Sequence, residues 1–174
     1  MTPRLSIVIV SFNTRDVLLD CLRSLTTSPP SVTHDVIVVD NASTDDSVGA
    51  VRRGYPSVRV IAQQTNRGFA AANNVGIRAS GGELILLLNS DTIVPAGAID
   101  RLVERLDAHP DAAAAGPKLI DAQGQTELSF GPMISPWGEL RQKVRIRNIH
   151  AQVPAALRWL SPPCYVTRDI PPTR

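Results

Sequence analysis

Leu5–Asn13 reads LSIVIVSFN, an unbroken, largely β-branched apolar run that ends in Ser, Phe and Asn. The same apolar character returns at Val36–Val39 (VIVV) and at Leu84–Leu88 (LILLL). Runs without the alternation of a half-exposed strand are typical of strands buried on both faces of a sheet. They predict the central strands of the fold.

Stretches of helical periodicity separate these strands. Two apolar stripes have the spacing of one helix face: Val17, Leu18, Cys21, Leu22 and Leu25, and then Ile99, Leu102, Val103 and Leu106. The alanine-rich segment Ala70–Ala79 predicts a helix after a shorter strand at Val58–Ala62. The resulting order, β-α-β-α-β-α-β-α up to about Ala108, predicts an α/β fold. Its sheet is mainly parallel, with helices on both faces and ligands bound beyond the carboxyl ends of the strands.

Two local signals predict where helices begin. Ser43, with Asp46 three residues later, resembles a capping box that would open the second helix. Pro95 stands where a first-turn proline would begin the fourth helix.

The pattern loosens after Pro110. Ala112–Ile120 and Thr126–Phe130 are further strand candidates, but seven prolines follow Gly131 without a long periodic segment. We therefore expect residues 1–130 to form the ligand-binding domain and residues 131–174 to be irregular and incomplete.

The composition fits one globular domain. The chain has 174 residues, 43% of them hydrophobic, and a formal net charge of +2, which gives no reason to expect nucleic-acid binding. Seven basic residues lie in Arg141–Arg174 beside one acid, Asp169. That segment leaves peripheral contact with anionic lipid open, although solvated surface is the simpler interpretation.

The chain shows no membrane-spanning or targeting pattern. No apolar run reaches the ~20 residues of a membrane-spanning helix, and the N-terminus does not resemble a signal peptide. The two cysteines, Cys21 and Cys164, lie far apart in sequence. A reduced cytoplasmic protein, with peripheral contact at the inner face of the membrane left open, is the expectation.

Polar clusters come directly after each predicted strand. They are Ser11, Phe12 and Asn13; Asp40 and Asn41; Asn66, Arg67 and Gly68; and Asn89, Ser90 and Asp91. Any one of them alone is better explained by turn or cap chemistry, whereas four in succession favour a ligand site. Asp40 and Asp91 stand out because each ends an apolar run, where an unpaired charge is costly unless a ligand or metal supplies a partner.

The segments SIVIVSFN, VIVVDNASTDDS, NRGFAAANNVGI and LLLNSD, in this order, resemble the consecutive motifs of family 2 glycosyltransferases. The resemblance is closest to the rhamnosyltransferase-like branch and covers about Leu5–Ile120. It implies a GT-A, Rossmann-like three-layer fold that binds a nucleotide-diphosphate sugar, a UDP- or dTDP-sugar. Transfer to a glycan or lipid-linked acceptor of the cell envelope, with inversion and a Mg²⁺ or Mn²⁺ ion, is implied as well.

The resemblance also implies roles for individual residues. Asp40 matches the carboxylate that hydrogen-bonds the base, and Ser11 and Asn13 match the loop around base and ribose. Asn89, Ser90 and Asp91 match the motif that binds metal and diphosphate, with Asp91 as the metal ligand. Asn73, and Asn74 beside it, match positions lining the donor pocket.

The loop before the third helix is a candidate anion site by its residues alone. The backbone N–H groups at Asn66–Gly68 and the helix dipole are suited to an anion, and Arg67 could add a charged hydrogen bond. Gly68 is explained equally well as a residue that turns the chain.

The chain departs from the family pattern where inverting members carry the general base. No Glu-Asp motif is found, and Trp159–Val166 resembles only the strand that precedes it. The catalytic base is therefore unassigned, and the acceptor-side part is expected to be missing. A truncated, non-catalytic nucleotide-sugar-binding module is the alternative to an active transferase.

Other classes are excluded by the residues directly after the first strand. A dinucleotide-binding dehydrogenase would have a G-x-G-x-x-G motif there, whereas this chain has SFNTRD.

The three histidines, His34, His109 and His150, lack metal-ligand spacing and are not expected to act in catalysis.

Overall fold

The computed structural model describes residues 2–117, 119–120, 126–127 and 167–168. The strands are β1 (Leu5–Ser11), β2 (His34–Asp40), β3 (Arg59–Ala62), β4 (Leu84–Asn89), β5 (Leu119–Ile120), β6 (Thr126–Glu127) and β7 (Thr167–Arg168). The helices are α1 (Arg15–Thr27), α2 (Ser47–Gly54), α3 (Phe69–Ala79) and α4 (Ala98–Asp107). The predicted alternation up to about Ala108 is confirmed.

The main sheet has the strand order β3-β2-β1-β4-β7. Its first four strands are parallel, and β7 pairs with β4 in the antiparallel direction. The register sets Ser11 beside Asp40 and Val10 beside Asn89. The residues that end β1, β2 and β4 therefore lie along one edge of the sheet.

Strand β1 is buried along its whole length because it lies between two parallel neighbours and is covered on both faces. On one face, Val8 and Val10 pack with Ile37, Val39 and Ala72 of α3. Gly76 lets α3 approach the sheet, because a Cβ at that position would overlap the Val8 side chain. This close helix–sheet contact needs glycine for space.

The connections explain why the helices divide between the two faces. The chain steps from β1 to β2 to β3 in one direction and then returns past β1 to β4. Since parallel crossovers are right-handed, α1 and α2 lie on one face and α3 on the other. Consistent with this, the Tyr55 hydroxyl after α2 donates to the Leu19 carbonyl of α1 at 3.1 Å. The strand order reverses between β1 and β4, where ligands bind in open α/β sheets.

The predicted capping box at Ser43 and Asp46 is wrong. Helix α2 begins at Ser47, and Asp46 has left-handed backbone geometry with φ of 61° and no side-chain cap bond. Ser43 instead uses its hydroxyl and its backbone N–H for contacts with Asn13 and Asp40. Hydrogen bonds to residues distant in sequence hold this segment as a loop, so the helix begins only at Ser47.

Two smaller helix predictions also need correction. Pro95 does not occupy the first turn of α4, since its carbonyl accepts from Ala98 at 3.1 Å in a turn before the helix begins. Val17 belongs to the predicted stripe of α1 but is 43% exposed. The other members of that stripe, and all four of the α4 stripe, are buried.

The chain divides into two compact units. One comprises Met1–Ala115 with Tyr165–Arg174, and the other comprises Gly116–Cys164. Within the second, β5 and β6 form an antiparallel pair with Leu119 opposite Glu127. Strand β5 covers only the end of the predicted strand at Ala112–Ile120. Strand β6 lies at the start of the predicted strand at Thr126–Phe130, whose last three residues lie outside the described residues. The predicted boundary after residue 130, most of the basic tail and Cys164 lie outside the described residues.

Candidate functional site

Asp40 ends β2 with a carboxylate that is only half satisfied. The residue is 2% exposed, and Oδ2 accepts a 2.9 Å hydrogen bond from the Ser43 N–H. Oδ1 is buried with no hydrogen-bond partner among the described residues. A buried polar atom without a hydrogen bond lowers the free energy of unfolding, so its presence in a native fold calls for a structural or functional explanation. A ligand donor would satisfy this oxygen.

Asn13 fixes the loop after β1 to the loop after β2. Its N–H donates to the Ser43 hydroxyl at 2.9 Å, and its Oδ1 accepts from the Thr44 N–H at 2.8 Å. The φ of 51° lies in the left-handed region, which asparagine tolerates better than most residues. The side-chain oxygen of Asn13 therefore serves the scaffold beside Asp40.

Asn41 organises the loop that precedes α3. It is 3% exposed; its Nδ2 donates to Asn66 Oδ1 at 2.8 Å, and its Oδ1 accepts from the Arg67 N–H at 3.1 Å. The Gly68 N–H also donates to Asn66 Oδ1, at 2.9 Å. The sequence placed Asn41 in the polar cluster after β2 but gave it no individual role, and its place directly after Asp40 was the usable signal.

These bonds refine the predicted anion site at Asn66, Arg67 and Gly68. The Arg67 N–H is already bonded to Asn41 and the Gly68 N–H to Asn66. An anion would therefore meet the first-turn N–H groups of α3, which have no intrahelical acceptor. The Arg67 side chain is exposed at the same place. Gly68 has a φ of 84°, which supports its turning role.

Asn73 is buried, whereas Asn74 beside it is exposed. Asn73 is 6% exposed and its Nδ2 donates to the Phe69 carbonyl at 3.0 Å. One amide hydrogen is thereby used inside α3, at the end of the helix that faces the strand ends.

Asn89 is the last residue of β4, and Ser90 and Asp91 form a turn directly after it. The Thr92 N–H donates to the Asn89 carbonyl at 3.2 Å, and the Asp91 side chain is exposed. Ser90 lies within 3.3 Å of the Thr14 hydroxyl, which lies 2.9 Å from the Ser11 hydroxyl. The predicted residues Ser11 and Ser90 are therefore joined through Thr14, which the sequence did not single out.

Cys21 of α1 lies beneath this turn as a buried free thiol. Its Sγ donates to the Asn89 carbonyl at 3.7 Å. Burial and, secondly, the negative charge of Asp91 raise the pKa of Cys21 to about 12, against a hydrogen bond with Thr92 that lowers it. The thiol is therefore protonated at neutral pH.

The donor set of the turn is consistent with Mg²⁺ or Mn²⁺ that is shared with a bound substrate. Among the described residues no group of three His, Cys, Asp or Glu side chains could hold a metal ion. Mg²⁺ is commonly held by one or two carboxylates, substrate phosphates and water. Asp91 supplies one exposed carboxylate, and Asn89 and Ser90 supply neutral oxygens.

A family model described as "Glycosyl transferase family 2" matches residues 6–156 of the chain. The chain is 36% identical over 157 residues to the succinoglycan biosynthesis protein ExoO of Rhizobium meliloti, with 85% of this chain and 45% of that protein covered. It is 32% identical over 123 residues to an N-acetylglucosaminyltransferase of Bradyrhizobium elkanii, with 68% and 67% covered. The chain thus spans less than half of the first relative.

Solved structures share the fold of this chain. A Pyrobaculum calidifontis mannosyltransferase in complex with GDP-Man and Mn²⁺ aligns with a TM-score of 0.62 and 26% identity, covering 71% of this chain and 37% of that one. S. aureus TarS 1-349 with UDP-GlcNAc aligns with a TM-score of 0.62 and 22% identity, covering 76% and 39%. The expected GT-A fold is confirmed.

No helix within the described part of the chain is long and apolar enough to cross a membrane.

Proposed function

Because this chain belongs to glycosyl transferase family 2, we propose that it binds a nucleotide-diphosphate sugar along the carboxyl edge of its parallel sheet. The whole protein would transfer the sugar to a glycan or lipid-linked acceptor. The observation that carries the proposal is the buried Oδ1 of Asp40 at the end of β2, which has no hydrogen-bond partner in the part of the chain that the structure describes.

That oxygen is suited to the imide N–H of a uracil or thymine base. A carboxylate accepts strongly from an N–H donor, and the pairing would remove the cost of the unpaired oxygen. Ser11 lies directly beside Asp40 in the strand register. The N1–H of guanine could donate to the same oxygen, so the preference for a UDP- or dTDP-sugar rests on the resemblance of the sequence motifs.

The diphosphate would lie toward the end of β4. The turn at Asn89–Asp91 offers one carboxylate, one amide oxygen and one hydroxyl, and Asp91 would hold the metal. A divalent cation there would offset the charge that develops on the leaving diphosphate. The first turn of α3 and Arg67 provide further positive potential at the same edge.

The relatives support the choice of donor and acceptor without fixing either. The structural neighbours were solved with GDP-Man, UDP and UDP-GlcNAc, and a succinoglycan biosynthesis protein is among the sequence relatives. A rhamnosyltransferase-like specificity, inversion of configuration and a cell-envelope acceptor remain parts of this proposal. A lipid-linked acceptor would bring the protein to the inner face of the membrane.

A binding module without turnover is the second candidate. It would bind the donor without a general base, and no residue of these 174 is assigned as one. The two candidates share the donor site and differ only in sugar transfer.

Calorimetric titration with UDP, dTDP and GDP, each with Mn²⁺, with Mg²⁺ and with EDTA, tests the donor site. We expect metal-enhanced binding of UDP or dTDP and weaker binding of GDP. Release of nucleoside diphosphate from the sugar donor then separates the transferase from the binding module. A well-folded chain that binds none of these nucleotides would contradict both.

A further inference from the structure

Thr14 occupies the N-cap of α1 but does not cap it. A threonine at this position ordinarily accepts a hydrogen bond from an N–H of the first turn, whereas here the side chain makes no cap bond. Its hydroxyl lies instead 2.9 Å from the Ser11 hydroxyl and 3.3 Å from the Ser90 hydroxyl. The side chain thus contacts the ends of both β1 and β4.

Asp45 caps the first turn of α1 in place of Thr14. Its Oδ2 accepts from the Arg15 N–H at 2.9 Å, so a carboxylate lies at the positive end of α1. Partial burial raises the pKa of Asp45, but hydrogen bonds from Ser47 and Arg15 outweigh that effect and lower it below its ordinary value. With a carboxylate at the first turn, the Thr14 hydroxyl is available for Ser11 and Ser90.

The three hydroxyls lie where the strand order reverses. Ser11 ends β1, Ser90 follows β4, and these strands are hydrogen-bonded neighbours. Each hydroxyl can donate one hydrogen bond and accept others, so a chain running Ser11 to Thr14 to Ser90 leaves the Ser90 hydrogen free. Donors and acceptors linked in this way polarise one another. Ser90 would thereby become a better donor to an anion.

The rest of the turn is held by α1 as well. The Val94 N–H donates to the Ser24 hydroxyl at 3.0 Å, and the Ser24 hydroxyl donates to the Cys21 carbonyl at 2.7 Å. The Cys21 thiol contacts the Asn89 carbonyl at the other end. With both ends of Asn89–Val94 fixed to one helix, the Thr14 contact sets the orientation of the Ser90 side chain.

We propose that Thr14 is a positioning residue that orients the Ser90 hydroxyl toward the diphosphate of the bound donor. This inference rests on the proposed function, because it needs a diphosphate beside the turn. Thr14 itself need not touch the substrate. The two hydroxyl contacts allow either direction, and the proposed one has Thr14 accepting from Ser11 and donating to Ser90.

The test compares Thr14→Val, which removes the hydroxyl and keeps the shape, with Thr14→Ser, which keeps the hydroxyl. Affinities for uridine and for UDP are measured in Mn²⁺, with thymidine and dTDP used instead if they bind the unmodified protein more tightly. We expect Thr14→Val to weaken diphosphate binding roughly 3- to 10-fold, the effect of one hydrogen bond. Nucleoside binding should be unchanged, and Thr14→Ser should bind both like the unmodified chain.

A double variant shows whether the effect passes through Ser90. Thr14→Val combined with Ser90→Ala should bind the diphosphate no more weakly than Ser90→Ala alone, because residues acting through one contact are not additive. Equal weakening of nucleoside and diphosphate would overturn the inference, and so would additive losses. If Thr14→Val does not fold, Thr14→Ala gives the same comparison.

Failure of the underlying function has a different signature. If the unmodified protein, folded by its melting transition, binds no nucleoside diphosphate, then the proposed function fails. If it binds and Thr14→Val binds equally well, only the role of Thr14 fails.

Discussion

Asp40 and Ser43 share a single hydrogen bond: the Ser43 N–H donates to Oδ2 at 2.9 Å, while Oδ1 of the same carboxylate is buried without a partner among the described residues. The Ser43 hydroxyl accepts from the Asn13 N–H. Ser43 therefore anchors the carboxylate to the loop after β1 and fixes which oxygen is left for a ligand.

Asp40→Asn should weaken nucleotide binding, and the melting temperature of the same variant shows how far the fold itself is affected. The asparagine oxygen can accept from the Ser43 N–H, which leaves the NH₂ group where a base N–H would approach, so two donors would meet. We expect affinity for UDP or dTDP to fall about 10- to 100-fold, in keeping with loss of a charged hydrogen bond, with or without metal. Calorimetry measures the nucleotide affinity, and thermal melting measures the stability of the fold.

Asp35→Asn is the matched control for that substitution. Asp35 lies near the other end of the same strand, where it accepts from the Ser6 hydroxyl at 2.6 Å. It should alter the melting temperature and leave nucleotide affinity unchanged. Equal losses of affinity in both variants would mean that Asp40 acts only through the fold.

Asp91→Ala should remove the metal dependence of diphosphate binding. The side chain is exposed, so the melting temperature should barely change, whereas the difference in UDP affinity between Mn²⁺ and EDTA should disappear. The exposed acid Asp111 provides the control Asp111→Ala. An unchanged response to Mn²⁺ in Asp91→Ala would exclude this residue as the metal ligand.

Asn41→Asp should loosen the loop before α3. The substitution keeps the size of the side chain but replaces the Nδ2 donor to Asn66 Oδ1 with an oxygen, so two acceptors face each other. We expect the free energy of unfolding to fall by about 1–3 kcal/mol and diphosphate affinity to fall with it. Denaturant unfolding and calorimetry check this, and unaltered stability would show that the bond contributes nothing.

Gly76→Ala should be among the more destabilising single-methyl additions in this chain. The new Cβ would overlap Val8 Cγ1 in the tightly packed contact of α3 with the sheet, and overpacking typically costs about 1–3 kcal/mol. Gly54→Ala is the control, because a Cβ there meets nothing within 4 Å and should be neutral or slightly stabilising. Similar unfolding curves for the two variants would contradict the close approach of α3.

The Cys21 thiol should make stability depend on alkaline pH. Because its folded pKa is raised from 9.0 to about 12, the folded state holds this proton more tightly than the unfolded state. The stabilising contribution is complete below pH 9 and is lost as pH rises toward 12. The comparison is Cys164→Ser with Cys21→Ala/Cys164→Ser: the difference in unfolding free energy should shrink across that range. A pH-independent difference would contradict the shift.

The strands of the fold were predictable because burial on both faces leaves an unmistakable pattern. Leu5–Val10, Val36–Val39 and Leu84–Leu88 all became strands of the parallel sheet. The stripe of α4 was equally clear, since all four predicted positions are buried. Predictions of helix starts fared worse: Ser43 had the right spacing for a capping box but bonds to Asn13 and Asp40, which lie elsewhere in the chain.

The sequence by itself determined the α/β alternation and the placing of Ser11, Asp40 and Asn89 at strand ends, because apolar periodicity and strand termini are local properties. Only the tertiary structure decided how those ends are connected: which oxygen of Asp40 the Ser43 N–H contacts, how Asn41 holds Asn66 and Arg67, and that Thr14 links Ser11 to Ser90. These bonds join residues up to 76 positions apart. Their geometry depends on the strand order and register that parallel pairing imposes, and no local pattern encodes it.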